Sequence, residues 1–380
     1  MVTDLALSWA LAARGKTARA ARRLLGRFGT PEEALAAGRA ALLAVAQEEA
    51  PAVEPLLAPL PAAGLAAQRR RMDASAARLV LLGDAEYPPL LRETPDPPVA
   101  LFVRGAGLPA GPFVAVVGAR RASRAGLEAA RLLAAGLARA GVTVVSGFAR
   151  GIDAAAHRAA LDEGEPTLAV LGCGVDVCYP PEQTRLLGEL LERGAALSEF
   201  PMGTGPLAQN FPVRNRVIAG MVPLVLVVEA AEKSGSLITA RLAADYGRDV
   251  AAVPGPIVFP GAAGTNSLLK DGAILVRNVE DLLVELAGLD PLRAAAAAAP
   301  SDRRAAGGRG SSPGDASRLD PDARLLLAAL DADDPLDADA LALSSGLSPS
   351  RLSAALVALE LEGLAQALPG ALFVRRRDKT

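Results

Sequence analysis

In FVAVVGARRASRAGLEAARLLAAGLARAGVTVVSGFARG, Phe113 to Gly151, a five-residue apolar run gives way to an amphipathic stretch that stops at Gly141, and a second apolar run follows over 142–145. Buried strand, glycine-stopped helix and buried strand make one β-α-β unit. Further short apolar runs lie at 167–171, 195–197, 224–228, 250–253 and 274–276, and helical spacing at 126–140, 152–163 and 237–246 ends at Gly141, Gly164 and Gly247. Strands alternating with helices predict an α/β fold: a Rossmann-like, doubly wound, mostly parallel sheet with right-handed crossovers.

Upstream, Leu5, Leu7, Leu11, Leu24, Leu25 and Phe28 fall at helical spacing, Gly29 stops the pattern, and Thr30 with Pro31 and Glu33 restarts it. Residues 1–80 therefore form a small helical module, similar to helix-hairpin-helix or sterile-alpha-motif units but without the glycine hairpin of the former. The Rossmann-like domain covers 81–289. Residues 290–319, with six consecutive alanines and then Gly, Ser and Pro, have no apolar periodicity and form a flexible linker. Residues 320–380 outline a winged helix: runs at 325–330 and 338–343, a turn at Ser344 to Gly346, a capped helix at 348–362, and two short runs about Pro369 and Gly370.

The chain has 380 residues, 51% of them hydrophobic, which provides for buried cores and excludes a fibrous or wholly disordered polymer. Its net charge is −2, so nucleic-acid binding must come from local clusters of cations. Of the 40 basic residues only four are lysines, and alanines number 82; this bias makes arginine richness alone a weak signal. Residues 50–67 are apolar but broken by four prolines, so no membrane span is expected. Asp4 stands where a secretion signal needs positive charge, and a cytoplasmic address follows. Cys173, Cys178 and His157 complete neither a disulfide framework nor a zinc set, and no metal or cofactor is expected.

In an open α/β sheet, ligands meet the loops at the carboxyl ends of the strands. After the first strand come Gly118, Ala119, Arg120, Arg121, Ala122, Ser123 and Arg124; after the second, Ser146, Gly147, Phe148, Ala149, Arg150 and Gly151. Both loops are shaped for phosphate and both are cationic. A dinucleotide fingerprint fails, because Arg120 fills the second glycine position and Ser146-Gly147 replaces the ribose-binding acid. The fourth strand opens into residues 199–216, read as a surface loop in which Phe211, fixed by Pro212, precedes Arg214, Asn215 and Arg216. A stacking ring beside backbone-tracking cations is what single-strand binders use. Asp153 and His157, four apart on one helix face, have no nucleophile motif beside them and read as a hydrogen-bonded structural pair.

The order of these segments resembles the DNA-processing protein DprA (Smf) family of bacterial natural transformation. The resemblance runs from Tyr87-Pro88 through Gly118-Ala119-Arg120, Ser146 to Asp153, Tyr179-Pro180, Asn210 to Ile218, Ser234 to Ala240 and Pro254-Gly255. It implies a Rossmann-like homodimer that binds and protects single-stranded DNA and helps load the RecA recombinase, without catalysis. On that resemblance Arg120 is a phosphate ligand and Phe211 a base-stacking residue. Arg150, Arg214 and Arg216 with Arg124 and Lys233 make the cationic groove, and Arg121, Asn215 and Ser234 join the candidate contacts. Many members carry a lysine after the Tyr-Pro; Pro181 and Glu182 follow here, and Arg185 is the substitute to examine. Residues 260–266 resemble the motif of nucleotide phosphoribohydrolases, whose catalytic glutamate position is Leu268, so the alternative of a nucleotide N-glycosidase lacks its carboxylate. A third alternative, a transcriptional regulator, is disfavoured by the −4 charge of residues 320–380, whose presumed recognition helix carries one arginine, Arg351, to two glutamates, Glu360 and Glu362.

Overall fold

Glycine stops and apolar runs place seven parallel strands in the middle of a nine-stranded sheet in the computed structural model of the chain. The structure describes residues 3–13, 15–47, 50–57, 60–109, 111–289, 321–330, 336–347, 351–352, 355–356, 359, 364–368 and 372–375. They divide into two compact units, 1–301 and 302–380. The proposed linker lies outside the described residues.

The first unit opens with helices α1 (Asp4–Ala12), α2 (Gly15–Phe28), α3 (Pro31–Ala36), α4 (Arg39–Ala46), α5 (Ala50–Leu57) and α6 (Ala62–Ala74). Thr30 caps α3 with a capping box, its hydroxyl accepting from the Glu33 amide while the Glu33 carboxylate accepts from the Thr30 amide. Buried Trp9 donates its indole N–H to the Leu56 carbonyl at 2.9 Å. Two antiparallel strands, β1 (Ala77–Leu81) and β2 (Ala100–Gly105), flank the short helix α7 (Pro89–Arg92). Strand β1 therefore belongs to the sheet, although it falls within the stretch read as the helical module.

The parallel part runs β3 (Phe113–Val117), α8 (Arg124–Arg139), β4 (Thr143–Ser146), α9 (Ile152–Asp162), β5 (Thr167–Val170), α10 (Thr184–Arg193) and β6 (Ala195–Ser198). It continues through α11 (Asn210–Met221), β7 (Leu224–Val227), α12 (Ser236–Asp245), β8 (Asp249–Ala252), α13 (Ala263–Lys270), β9 (Ile274–Leu275) and α14 (Val279–Leu289). Strand order is β1-β2-β6-β5-β4-β3-β7-β8-β9, with β2 antiparallel to β6. Alternation along β3 splits its side chains between two layers. Ala115 and Val117 pack with α11, α12 and the N-terminal helices, whereas Val114 and Val116 pack with α8, α9 and α14. The first of these clusters runs without a break from Trp9 and Leu24 to Val225, so the helical module and the sheet share one core.

Helix α11 corrects the reading of residues 199–216 as loop alone. Pro212 is the third residue of that helix, where the amide it lacks has no intrahelical partner to lose. No single helix is long and apolar enough to cross a membrane; α5 and α6 pass by composition only as a pair bent by 67°.

In the second unit the described residues include helices Pro321–Ala329 and Ala338–Ser345 and the strands Leu336–Asp337, Ala365–Leu368 and Leu372–Arg375, the last paired on both sides. Leu326, Leu341, Leu352, Leu356 and Leu359 form its core. This is the winged-helix outline.

Candidate nucleic-acid interface

Strand order reverses between β3 and β7, so the crevice at their carboxyl ends is the expected ligand position. A side chain of the protein fills it. The Glu229 carboxylate, one residue beyond buried Val228, accepts from the Ser123 amide at 3.0 and 3.2 Å and from the Ser123 hydroxyl, at the N-terminus of α8. A Cβ on Gly126 would stand 2.3 Å from that carboxylate. The positive end of α8 is thus already neutralised from within, and Glu229 is a determinant that the sequence reading missed.

A small cleft, with about 20 Å³ of free volume, lies one strand over, above β3, β4 and β5, and is lined by Arg120, Gly147, Phe148, Ala149, Arg150, Leu171, Gly172, Cys173, Tyr179, Pro180 and Phe211. The Arg120 guanidinium sits over the Phe211 ring, 5.2 Å from its centroid, and the Tyr179 ring, tilted by 43°, has its centroid 5.6 Å away. Phe211 is half-buried because Gly172 leaves room beneath it; a Cβ there would approach the ring to 2.9 Å.

Two buried charges shape the loop after β4. The Arg214 Nη1 donates to the Gly147 carbonyl at 2.6 Å and to the Val170 carbonyl, while Asp153 Oδ2 accepts from the Gly147 and Ala149 amides at 3.1 and 3.2 Å. A Cβ on Gly147 would lie 2.7 Å from the Arg214 guanidinium and 2.8 Å from the Asp153 carboxylate. Clamped from both sides, the loop holds Phe148 at φ 57, a left-handed conformation costly for a side chain with a Cβ. Burial pushes Arg214 down to about 10, so it stays protonated at neutral pH, and burial raises Asp153 against the opposing pull of Arg214.

These placements correct the sequence reading at three points. Arg214, 4% exposed, is a loop clamp and not a groove cation, since its guanidinium donates to the Gly147 and Val170 carbonyls and to the side-chain oxygen of its neighbour Asn215 at 3.3 Å. Arg216 is half-buried between Glu199 and the Asp96 carbonyl, where it ties the segment before β2 to the loop after β6. Asp153 and His157 bond to different partners, not to each other: the His157 Nδ1 lies 2.8 Å from the Thr167 hydroxyl, whose proton goes to the Val144 carbonyl.

The remaining candidates divide clearly. Arg120 and Arg150 are exposed at the cleft, with Arg150 paired to the equally exposed Glu182. That pair raises the Arg150 pKa and lowers that of Glu182. Arg185 does not take the place of the missing lysine, since it bonds Glu189 along α10 at 2.9 Å. Gly118 and Gly151 lie outside the cleft lining and let backbones meet: a Cβ on Gly151 (φ 75) would strike the Ala119 carbonyl at 2.2 Å. Arg121 and Lys233 are exposed on loops and Arg124 on the first turn of α8, all outside the cleft lining. Asn215 reaches the Gly235 carbonyl at 3.4 Å, and Ser234 bonds Ser236 at 2.8 Å. Leu268 packs against the main apolar cluster. Among the described residues, no group of three or more His, Cys, Asp or Glu is arranged to hold a metal ion.

The sequence profile of DNA recombination-mediator protein A matches residues 78–287, and that of the DprA winged helix domain matches residues 310–371. Protein Smf of Escherichia coli is 52% identical over 202 residues, 53% of this chain and 54% of that protein, so the match spans about half of the relative's length. Protein Smf of Synechocystis sp. is 35% identical over 314 residues, covering 77% of this chain and 79% of the relative. The X-ray structure of DNA processing protein A from Streptococcus pneumoniae is similar at 34% identity and a TM-score of 0.64, covering 75% of this chain and 98% of that one. A structure of the Helicobacter pylori protein, described for its single-stranded DNA binding mode, is similar at 29% identity and a TM-score of 0.51, covering 56% and 96%. With its sheet, its winged helix and more than half its length matched in this way, the chain belongs to the DNA recombination-mediator protein A (DprA/Smf) family.

Proposed function

We propose that the chain binds single-stranded DNA in the cleft over β3, β4 and β5, shields it, and hands it to the RecA recombinase, as a cytoplasmic homodimer that performs no catalytic step. The observation that carries this reading is the Arg120 guanidinium stacked on the half-exposed Phe211 ring at the rim of a loop clamped open by Arg214 and Asp153. A nucleotide entering there trades a cation–π contact of about 0.5–2 kcal/mol for base stacking of about 1–3 kcal/mol, and frees Arg120 for the phosphate. The net gain therefore comes largely from charge pairing. Leu268, at the position of a glycosidase carboxylate, supports binding without hydrolysis. Exposed Ile257 and Val258, 95% and 86% accessible, support association of two copies. In the winged helix Arg351 is held by Asp322 at 2.6 and 2.8 Å, which supports a protein contact for that unit over a duplex contact.

The test is a mobility-shift comparison of single- and double-stranded oligonucleotides across a salt series. Affinity for oligo-dT should fall with salt at a log–log slope near −0.7 per phosphate, with roughly three to six phosphates engaged per subunit. An affinity independent of salt, or a preference for duplex, overturns the reading.

A further inference from the structure

Away from the cleft, a cavity of about 570 Å³ opens between α2, the turn after β1 and the segment following α7. Its lining contains Arg19, Arg22, Arg23 and Arg92 and no carboxylate. Arg23 donates to the Ala46 carbonyl at 2.6 Å, so the site rests on Arg22 and Arg92. Arg22 donates weakly to the Pro97 carbonyl at 3.5 Å, and Arg92 donates to the Asp84 carbonyl at 2.6 Å while lying over the Tyr87 ring. Both partners are neutral, and among the described residues neither arginine forms an ion pair within 4 Å. Asp96 attracts Arg22, but its carboxylate also takes the Tyr246 hydroxyl at 2.8 Å and faces Arg216. The charges of Arg19 and Arg216, together with burial, lower the Arg22 pKa.

The floor is built from backbone. A Cβ on Gly83 would stand 2.4 Å from the Gly29 carbonyl, so the two turns meet only because residue 83 has no side chain. The apolar lining is Leu25, Leu82, Pro95 and Pro97, with no aromatic ring for a base to stack on. Arginines lining a space of this size, without a stacking surface, suit phosphate oxygens better than bases.

We propose that this cavity is a second phosphate-binding site, whose natural occupant is the phosphodiester backbone of a DNA strand leaving the main cleft. The choice of a strand as occupant rests on the proposed single-strand function; the phosphate chemistry does not.

The test uses the full chain, calorimetric titration with inorganic pyrophosphate and with oligo-dT, and the variants R22Q/R92Q, R22K/R92K and R120Q. Pyrophosphate should fill one site fewer in R22Q/R92Q than in the unsubstituted protein, regain it in part in R22K/R92K, and keep that site in R120Q, which loses only a contact of the main cleft, with melting temperatures showing that each variant is folded. A five- to tenfold loss of oligo-dT affinity in R22Q/R92Q then assigns the site to the strand. Unchanged oligo-dT affinity with lost pyrophosphate binding supports the phosphate site but overturns the strand as its occupant. Equal pyrophosphate binding in all four proteins, or none in any, overturns the site itself. Failure of oligo-dT binding in every protein, with pyrophosphate behaving as expected, removes the single-strand reading and leaves the phosphate site standing.

Discussion

Phe211 and Arg214 lie three residues apart on α11 and do opposite work, one facing the cleft and the other the interior. Phe211→Ala should weaken oligo-dT binding by about 1–2 kcal/mol, roughly 5- to 30-fold, since stacking is lost but a cation–π contact no longer has to be given up. Folding stability should fall by only about 1–2 kcal/mol, because the ring is half-exposed. Urea unfolding beside a binding titration separates the two; a large stability loss with normal binding would make Phe211 a core residue. Arg214→Gln should do the reverse and cost about 3–5 kcal/mol of stability, since Asp153 is left as a buried, uncompensated charge. A shift of the urea midpoint equivalent to less than about 1 kcal/mol would show that the clamp is not needed. Phe211 was legible in the sequence because an aromatic before proline and cations has few structural uses. The burial of Arg214 was not, because spacing along the chain does not reveal which side of an unrecognised helix faces the core.

Helix α9 carries a titration with a defined sign. Thr167 gives its only hydroxyl proton to Val144, so His157 donates through Nδ1 and its Nε2 has no hydrogen-bond partner. Burial, aided by the charge of Arg214, lowers the His157 pKa to about 3, against about 6.5 in an unfolded chain. Between those values the unfolded state binds the extra proton, so stability is full above pH 6.5 and is lost on acidification, by at most about 1.4 kcal/mol per pH unit. Asp153, raised by burial, acts with the opposite sign at the acidic end of that range. Denaturant unfolding at pH 7.5 and 5.5 should show the loss, and His157→Gln should flatten it; an identical slope in both proteins would locate the acid sensitivity elsewhere. The parallel strands were legible because each apolar run sits between glycine-stopped helices. Strands β1 and β2 were not, since Arg78 and Arg104 interrupt their apolar pattern and no helix joins them in the β-α-β manner.

At the scale of the molecule, the cleft residues all belong to the unit spanning 1–301. Deleting residues 302–380 should therefore leave a folded protein whose oligo-dT affinity stays within about twofold, as expected for units that share no contact residue at the site. A soluble truncation that no longer binds single strands would make the winged helix part of the site. The fold class was readable end to end, whereas the lateral position of the cleft was not, because it depends on Glu229 reaching across from the end of β7. That carboxylate has a kinetic consequence. With the α8 N-terminus, the loop after β4 and its left-handed Phe148 all held by the protein's own charges, an arriving strand has no backbone to order. For a strand bound as proposed, capture then runs at the rate of encounter, and the time it stays is set by its phosphate contacts together with one base on one ring. Such a fast-loading, fast-yielding grip is what the proposed hand-over would need.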